Sequence, residues 1–334
     1  MIRSDAIAVV ALGGAIAVLA RIRSPGTVTE STPMRAMLVN REVLLAQCPA
    51  QPTLGKAEAD ALPIHITTWG EAGPIVHLIH GGVQGGIGGG PVNFAEQKPL
   101  STRGWRLRLV DRPGFGQSPS RGPDDMEADA AWIAEELGAS SHLIGHSFGG
   151  AEALLAAALR PQAVRSLILI EPALQPMLAT DPESMENPDV RAGLQIVAQF
   201  IITARTPGEF ATSFAQSLGK GKDGGPNPSA AAIEAHPEKA AALGCAVLQA
   251  RMASPAGMRQ AAEVVAHLHI PVLVISGGYS PGQDATGAVI AKLTGGRHVI
   301  VRAPNHFVQQ ENPEAFNETA DAFMREADLS RANP

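Results

Sequence analysis

A serine lies between two glycines in residues 145–149, which read GHSFG. Residues 142–144 form a short apolar run that predicts a buried strand, and the alanine-rich residues 150–160 predict a helix. A glycine-flanked serine at a sharp strand-to-helix turn is typical of a nucleophile elbow, in which the strained turn aims the hydroxyl out of the sheet. We therefore predict that Ser147 is a nucleophile.

A serine hydroxyl needs a base to accept its proton, so a histidine must lie within reach of Ser147. The chain has ten histidines, and most of them fall inside or beside predicted strands. His306 differs because it lies in a predicted loop, just after the last strand at 298–301 and before a helix. We predict that His306 is the general base.

Two carboxylates compete for the position that orients His306. Known proteins with this type of elbow usually place an aspartate about three residues past the glycine that follows the predicted strand at 271–276. Here Ser280 stands at that position, and Asp284 follows four residues later. Asp284 could equally cap the next helix. Glu171 ends the strand after the elbow and interrupts an apolar run, where an ionised carboxylate needs a partner. We favour Glu171 as the acid and keep Asp284 as the alternative.

Residues 80–90 form a glycine-rich loop, HGGVQGGIGGG, directly after the predicted strand 74–79. Glycines let backbone N–H groups approach a developing oxyanion closely. We predict that the N–H groups of Gly82 and Phe148 form an oxyanion hole. A phosphate-binding role is disfavoured because the loop lacks the Gly-Lys-Ser/Thr ending of such loops.

The elements that must position these residues alternate between strands and helices. This alternation predicts a mostly parallel, doubly wound α/β sheet built from residues 25–171 and 270–334, with a first edge strand near residues 43–45. The alternation fails in residues 172–269, which we predict to form a helical cap. A cap over the carboxyl ends of the strands would wall a pocket at the edge where such sheets bind ligands.

The motif order resembles that of the α/β-hydrolase fold family. HGG at 80–82, DRPGFGQS at 111–118, the elbow and the late His306 carry the resemblance, which covers residues 64–324. It implies an eight-stranded sheet with a cap, a Ser-acid-His triad and no cofactor. Some haloalkane dehalogenases and lipases carry their acid after the strand that follows the elbow, as Glu171 would. Dehalogenases and epoxide hydrolases use an aspartate nucleophile, whereas this chain has Ser147.

The serine therefore favours hydrolysis of a small or medium carboxylic ester or lactone. Carbon–carbon bond hydrolysis, cofactor-free perhydrolysis and a non-catalytic ligand-binding role remain as alternatives. The segment 111–118 is usually a structural turn in this family, so we assign it no catalytic role.

The composition of the chain limits the classes of molecule that it is expected to bind. The chain has 334 residues, of which 17% are charged, and its net charge is −6. It therefore lacks the excess of basic residues that a nucleic-acid-binding surface needs. The expected partner is a small-molecule substrate, and the oligomeric state is open. Cys48 and Cys245 are too few for a disulfide-rich scaffold and show no metal-ligand spacing, and whether they pair is open.

The start of the chain suggests export. Arg3 precedes fifteen apolar or glycine residues at 6–20. As a helix this run would be about 22 Å long, short of the roughly 30 Å of membrane hydrocarbon. We interpret residues 1–24 as a signal peptide of a periplasmic or secreted protein, with a membrane anchor as the alternative. Arg21 and Arg23 oppose translocation, which leaves a cytoplasmic helix as a third possibility.

Overall fold

The computed structural model describes residues 6–12, 15–23, 27–30, 32–52 and 54–332. The strands within these ranges form two sheets, a small antiparallel sheet of β1 to β3 and a main sheet of β4 to β10. The ten strands are β1 Ala6–Leu12, β2 Ala15–Arg23, β3 Thr27–Glu30, β4 Ile66–Trp69, β5 Ile75–Ile79, β6 Arg106–Val110, β7 Ser141–His146, β8 Val164–Ile170, β9 Val272–Ser276 and β10 Arg297–Ile300.

The same ranges contain sixteen α-helices, many of which begin with a proline. Proline suits a helix start because the first N–H groups of a helix have no partner within it. The helices are α1 Thr32–Leu45, α2 Lys56–Ala61, α3 Gly90–Asn93, α4 Pro99–Thr102, α5 Met126–Glu136, α6 Ser147–Leu159, α7 Gln175–Ala179, α8 Pro182–Glu186, α9 Pro188–Thr203, α10 Pro207–Gln216, α11 Pro228–Ala235, α12 Ala240–Gln249, α13 Pro255–His267, α14 Pro281–Thr294, α15 Val308–Glu311 and α16 Pro313–Ala332.

The main sheet has the strand order β10-β9-β8-β7-β5-β6-β4. The edge strand β4 runs antiparallel to β6, and the other pairings are parallel. Parallel neighbours require crossover connections, which here contain α5 between β6 and β7, and α6 between β7 and β8. The predicted doubly wound, mostly parallel α/β fold is therefore confirmed.

The main sheet has seven strands in the described residues, whereas the family resemblance implied eight. The edge strand expected near residues 43–45 is instead the end of α1. Met37 and Leu44 lie two helical turns apart and are fully buried, while Val43 is 51% exposed. The apolar triplet at 43–45 thus contributes one face of a helix, and a run this short does not distinguish a helix from a strand.

Apolar side chains pack on both faces of the main sheet. In β8, Leu167 and Leu169 join the cluster that contains α6 and α13, while Ile168 and Ile170 join the cluster on the opposite face. Alternate residues of a strand point to opposite faces, so a strand covered on both sides reads as a continuous apolar run. The last helix, α16, packs on this opposite face, where Phe316, Ala320 and Phe323 are buried in the second cluster.

Helices α7 to α13 separate β8 from β9, within the predicted cap at residues 172–269. Helix α13 packs against α6 and contributes to the cluster on the main sheet. The cap boundaries at 172 and 269 remain a prediction. Cys48 and Cys245, whose pairing the sequence left open, form a disulfide with their Cα atoms 5.4 Å apart. This bond joins the segment after α1 to helix α12.

The predicted export segment 1–24 lies partly outside the described residues, and its role remains a prediction. Among the helices that the structure describes, none combines the length and the apolar character needed to cross a membrane.

Candidate active site

Ser147 lies at the junction of β7 and α6 with a backbone φ of 54°. This left-handed conformation is strained for a residue with a side chain. The flanking glycines permit the tight turn: a Cβ at Gly145 would lie 2.5 Å from the carbonyl oxygen of Gly149, and one at Gly149 would lie 2.3 Å from that of His80. The chain therefore closes tightly around Ser147, and the serine lines a cavity.

Glu171 and His306 are in direct contact at the carboxyl edge of the sheet. Oε2 of Glu171 lies 2.6 Å from Nδ1 of His306. The Glu171 side chain is fully buried, and the residue adopts a left-handed φ of 39° directly after β8. A carboxylate at this distance can accept only if Nδ1 carries the proton, so Nε2 of His306 is left as the basic nitrogen. His306 lines the same cavity as Ser147.

Asp284, the alternative acid, is engaged elsewhere. Its Oδ1 accepts hydrogen bonds from the hydroxyl of Ser276 and, at 3.1 Å, from the N–H of Gly278. The Ser276 hydroxyl also lies 2.8 Å from Nε2 of His298. Ser280, which stands where the family resemblance expects an acid, is the N-cap of α14. The structure thus brings Glu171, and not Asp284, to His306.

The loop that carries Gly82 is anchored by a buried histidine. Nδ1 of His80 lies 2.8 Å from the carbonyl oxygen of Gly81, and the N–H of Arg112 donates to Nε2 of His80 at 3.2 Å. Nδ1 must therefore carry the proton, because Nε2 accepts. Burial, aided by the charge of Arg112, lowers the pKa of His80 to about 3, so the ring stays neutral.

This anchor sets the direction of the predicted oxyanion donor. In a trans peptide the N–H of Gly82 points away from the Gly81 carbonyl, and both glycines line the cavity. Gly81 must lack a side chain, since a Cβ there would lie 2.6 Å from the Cβ of Ser147. Phe148 is the second residue of α6, so its N–H has no acceptor within the helix.

Arg112 lies fully buried behind this loop, a position that the sequence did not reveal. Its guanidinium donates to the carbonyl oxygen of Gly82 at 3.1 Å and lies 4.6 Å from the centre of the Phe148 ring. It also forms ion pairs of 3.1, 3.3 and 2.8 Å with Asp124, Asp129 and Glu152 respectively. Arg112 therefore contacts both residues predicted to form the oxyanion hole.

The rest of the segment 111–118 fits the structural turn that the family resemblance implied. Asp111 accepts hydrogen bonds from the N–H groups of Gly90 and Gln117 at 2.8 and 3.0 Å, and its own carbonyl accepts from the hydroxyl of Ser118. One aspartate thus closes the turn at 111–118 and ties it to the start of α3.

The cavity has a volume of about 330 Å³ and lies between the sheet edge and the cap. Its charged or titratable members outside the Ser147 and His306 pair are His146, His236 and Lys239. Among the described residues, no group of three or more His, Cys, Asp or Glu side chains is placed to hold a metal ion. Apolar side chains dominate the wall, namely Val83, Ile87, Phe214, Leu218, Ile233, Leu243, Val247, Met252 and Phe307.

Comparison with known proteins gives a family match and several relatives. The model of the alpha/beta hydrolase fold family matches residues 74–313. A pimeloyl-[acyl-carrier protein] methyl ester esterase of Aeromonas hydrophila subsp. hydrophila is 33% identical over 178 residues, 49% of this chain and 66% of the relative. The enzyme of the same name from Neisseria meningitidis serogroup C is 35% identical over 114 residues, 34% of this chain and 43% of the relative.

The chain thus spans less than two thirds of the length of these curated relatives. Among solved structures, an esterase from Exiguobacterium antarcticum has a TM-score of 0.55 at 19% identity, with 80% of this chain and 97% of that chain covered. This likeness shows a shared fold.

Proposed function

The chain belongs to the α/β-hydrolase fold family, and from this premise we propose that it is a serine hydrolase that cleaves a small or medium carboxylic ester or lactone. The observation that carries the proposal is the 2.6 Å contact between Glu171 and His306, beside a cavity that Ser147 and His306 both line. Curated relatives named as methyl ester esterases support ester hydrolysis.

In the proposed reaction, the Ser147 hydroxyl attacks the carbonyl carbon of the ester while Nε2 of His306 takes the hydroxyl proton. The oxyanion of the tetrahedral intermediate accepts hydrogen bonds from the N–H groups of Gly82 and Phe148. When the intermediate collapses, protonated His306 gives its proton to the departing alkoxide, and an acyl-serine remains. A water molecule then attacks the acyl-serine with His306 again as the base, which releases the acid and restores Ser147.

Glu171 keeps its charge throughout the proposed cycle. As a carboxylate beside Nδ1 of His306, it holds the imidazole in the tautomer that presents a basic Nε2, and it stabilises the imidazolium that forms in each half-reaction. A fully buried carboxylate requires hydrogen-bond donors, and His306 is one of them.

The size and lining of the cavity support an apolar acyl group. A volume of about 330 Å³ lies at the lower end of the range for small-ligand sites, and its wall is mainly aliphatic and aromatic. Both open-chain esters and lactones of this size belong to the proposal.

Covalent labelling tests the proposed function directly. A fluorophosphonate reacts with an activated serine, so the wild-type protein should be labelled at Ser147 and Ser147→Ala should not. A panel of p-nitrophenyl esters and lactones should show turnover that Ser147→Ala lacks. Ser276→Ala is the matched control, because Ser276 is buried and hydrogen-bonded to Asp284. Absence of labelling in the wild type would contradict the proposal.

We further propose that the protein is exported to an oxidising compartment. The disulfide between Cys48 and Cys245 supports this location, because such bonds persist outside the reducing cytosol. The sequence of residues 1–24 also supports export, because a basic residue, Arg3, precedes the apolar run at 6–20. N-terminal sequencing of protein from its native host tests the proposal, and an intact Met1 in a cytoplasmic fraction would contradict it.

A further inference from the structure

Tyr279 is the single tyrosine of the 334-residue chain. It lies in the turn between β9 and α14, and its hydroxyl donates to Oε2 of Glu171 at 2.9 Å. The same oxygen lies 2.6 Å from Nδ1 of His306. The second oxygen of Glu171, Oε1, accepts the N–H of Gly277 at 2.9 Å. One buried carboxylate therefore has three donors, and two of them share one oxygen.

This arrangement has two physical consequences for the carboxylate. Donors on both oxygens fix the rotation of the carboxylate plane, so Oε2 is held toward Nδ1 of His306. A second donor on Oε2 also reduces the negative charge that this oxygen presents to His306. The shared proton is then favoured on Nδ1 of the imidazole over the carboxylate. The hydroxyl of Tyr279 supplies the second donor.

We propose that Tyr279 is a positioning residue of the active site, which orients Glu171 and shares its charge so that His306 works as a base of moderate strength. The inference rests on the proposed function, because it presumes that Glu171 is the acid of a serine hydrolase. Tyr279 is not among the described residues that line the cavity, so its effect on substrate passes through Glu171 and His306.

Tyr279 remains a donor because it resists ionisation. Burial raises the pKa of Tyr279 well above its usual range, the charge of Glu171 raises it further, and a hydrogen bond with Gln283 opposes the shift. The charge of Asp284 in the first turn of α14 acts in the same direction as Glu171.

A further titratable side chain, His146, faces the pair of His306 and Glu171. The His146 ring lies 4.7 Å from the His306 ring, and burial lowers the pKa of His146 well below 6.5, so it is neutral. Arg302 is exposed, and its guanidinium donates to the carbonyl oxygen of Gly278 at 3.4 Å, in the turn that carries Tyr279.

Kinetics of Tyr279→Phe provide the first test, since this variant deletes one donor and keeps the ring. We expect kcat to fall about tenfold, because Oε2 of Glu171 loses the donor that holds it toward His306. A tenfold change corresponds to about 1.4 kcal/mol in the activation free energy. KM should stay unchanged. The acid limb of the kcat/KM profile should move to higher pH, because a carboxylate with fewer donors stabilises protonated His306 more strongly. A purely structural residue would not move this limb.

Ser280→Ala is the matched control for the kinetics. Ser280 lies in the same turn as Tyr279 and caps α14 without contacting Glu171. The substitution should therefore lower the free energy of unfolding somewhat and leave the acid limb of the kcat/KM profile at the same pH.

Tyrosinate absorbance provides a second test that does not depend on activity, because the chain has one tyrosine. In the wild type its ionisation midpoint should lie above that of free tyrosine. Glu171→Gln removes the nearby negative charge and should lower this midpoint, whereas Asp284→Asn should lower it less.

The proposal is overturned if Glu171→Gln leaves the absorbance midpoint unchanged. It is also overturned if Tyr279→Phe leaves the acid limb in place while fluorophosphonate still labels Ser147, and in that case the hydrolase function stands. A wild-type protein that fails to label overturns both.

Discussion

The carbonyl oxygen of Leu218, in the cap, accepts a hydrogen bond from the N–H of His306 at 2.8 Å. Next to it, the N–H of Lys220 donates to the carbonyl oxygen of Pro304 at 3.0 Å. The side chain of Asn305 also donates to the carbonyl oxygen of Lys220 at 2.8 Å. Leu218 lines the cavity as well. The cap therefore holds the backbone of the proposed base with the same segment that would contact substrate.

Gly219→Ala should disturb this junction. Gly219 has a φ of +99°, and a Cβ there would lie 2.6 Å from the Cα of Asn305, so the two segments must separate. We expect kcat to fall by at least about tenfold as His306 is displaced. Gly224→Ala is the control, because Gly224 has a φ of +82° with open space around it. Equal kcat values for the two variants would contradict this prediction, because the loss would then come from backbone strain at a positive φ and not from the contact with Asn305.

If Glu171 is the acid, its substitution should lower kcat more than substitution of Asp284. Glu171→Gln keeps the shape of the side chain but removes the charge beside His306, and we expect kcat to fall by roughly 10² to 10⁴. Asp284→Asn disturbs only the contacts with Ser276 and Gly278, and we expect less than about a tenfold loss. Single-turnover and steady-state kinetics measure both variants. A larger loss of kcat in Asp284→Asn than in Glu171→Gln would instead identify Asp284, after β9, as the acid.

Arg112→Met should destabilise the fold strongly. It leaves Asp124, Asp129 and Glu152 buried without their cation, and removing one partner from such a cluster costs about 3 to 5 kcal/mol. Arg108→Gln breaks a partly exposed pair with Glu136 and should cost less than about 1 kcal/mol. Urea unfolding measures both free energies, and similar losses in the two variants would contradict the buried-cluster account.

Buried histidines should make the protein sensitive to acid. Burial lowers the pKa of His77 and His80 to about 3 and that of His142 to about 4, and it lowers the pKa of His146 well below 6.5. Below about pH 6.5 the unfolded chain binds protons that the folded chain does not. The free energy of unfolding should therefore fall as the pH drops from 6.5 toward 4.

Two buried carboxylates oppose this trend, because burial raises the pKa of Asp124 and that of Glu152. The net uptake on unfolding is then two to four protons, or about 3 to 5 kcal/mol per pH unit. Urea unfolding at several pH values measures the slope. His77→Leu should reduce the slope by about 1.4 kcal/mol per pH unit, whereas replacing the exposed His267 with Gln should not.

Local signals in the sequence sufficed for the alternation of strands and helices and for the elbow. The glycines around Ser147 encode a close backbone approach, and the loop position of His306 followed from its place after the last strand. The preference for Glu171 came from its apolar surroundings, and the structure places it against His306.

Contacts between distant segments could not be read from the sequence. Arg112 reaches Gly82 and Glu152, which are 30 and 40 positions away, and Tyr279 reaches Glu171 across 108 positions. Such pairings depend on how strands are ordered in the sheet, and no local spacing encodes them. Tyr279 had one usable signal, because it directly precedes the position where the family resemblance expects an acid.

The disulfide joins cysteines 197 positions apart, and strands β4 to β8 lie between them in the chain. During synthesis Cys48 emerges first and must stay unpaired until helix α12 has been made. By then the strands on either side of Ser147 are available to associate. The bond can therefore form only after α12 has reached the segment that follows α1. A molecule whose cap has failed to reach α1 would still carry two free thiols, so thiol content serves as a chemical record of completed assembly.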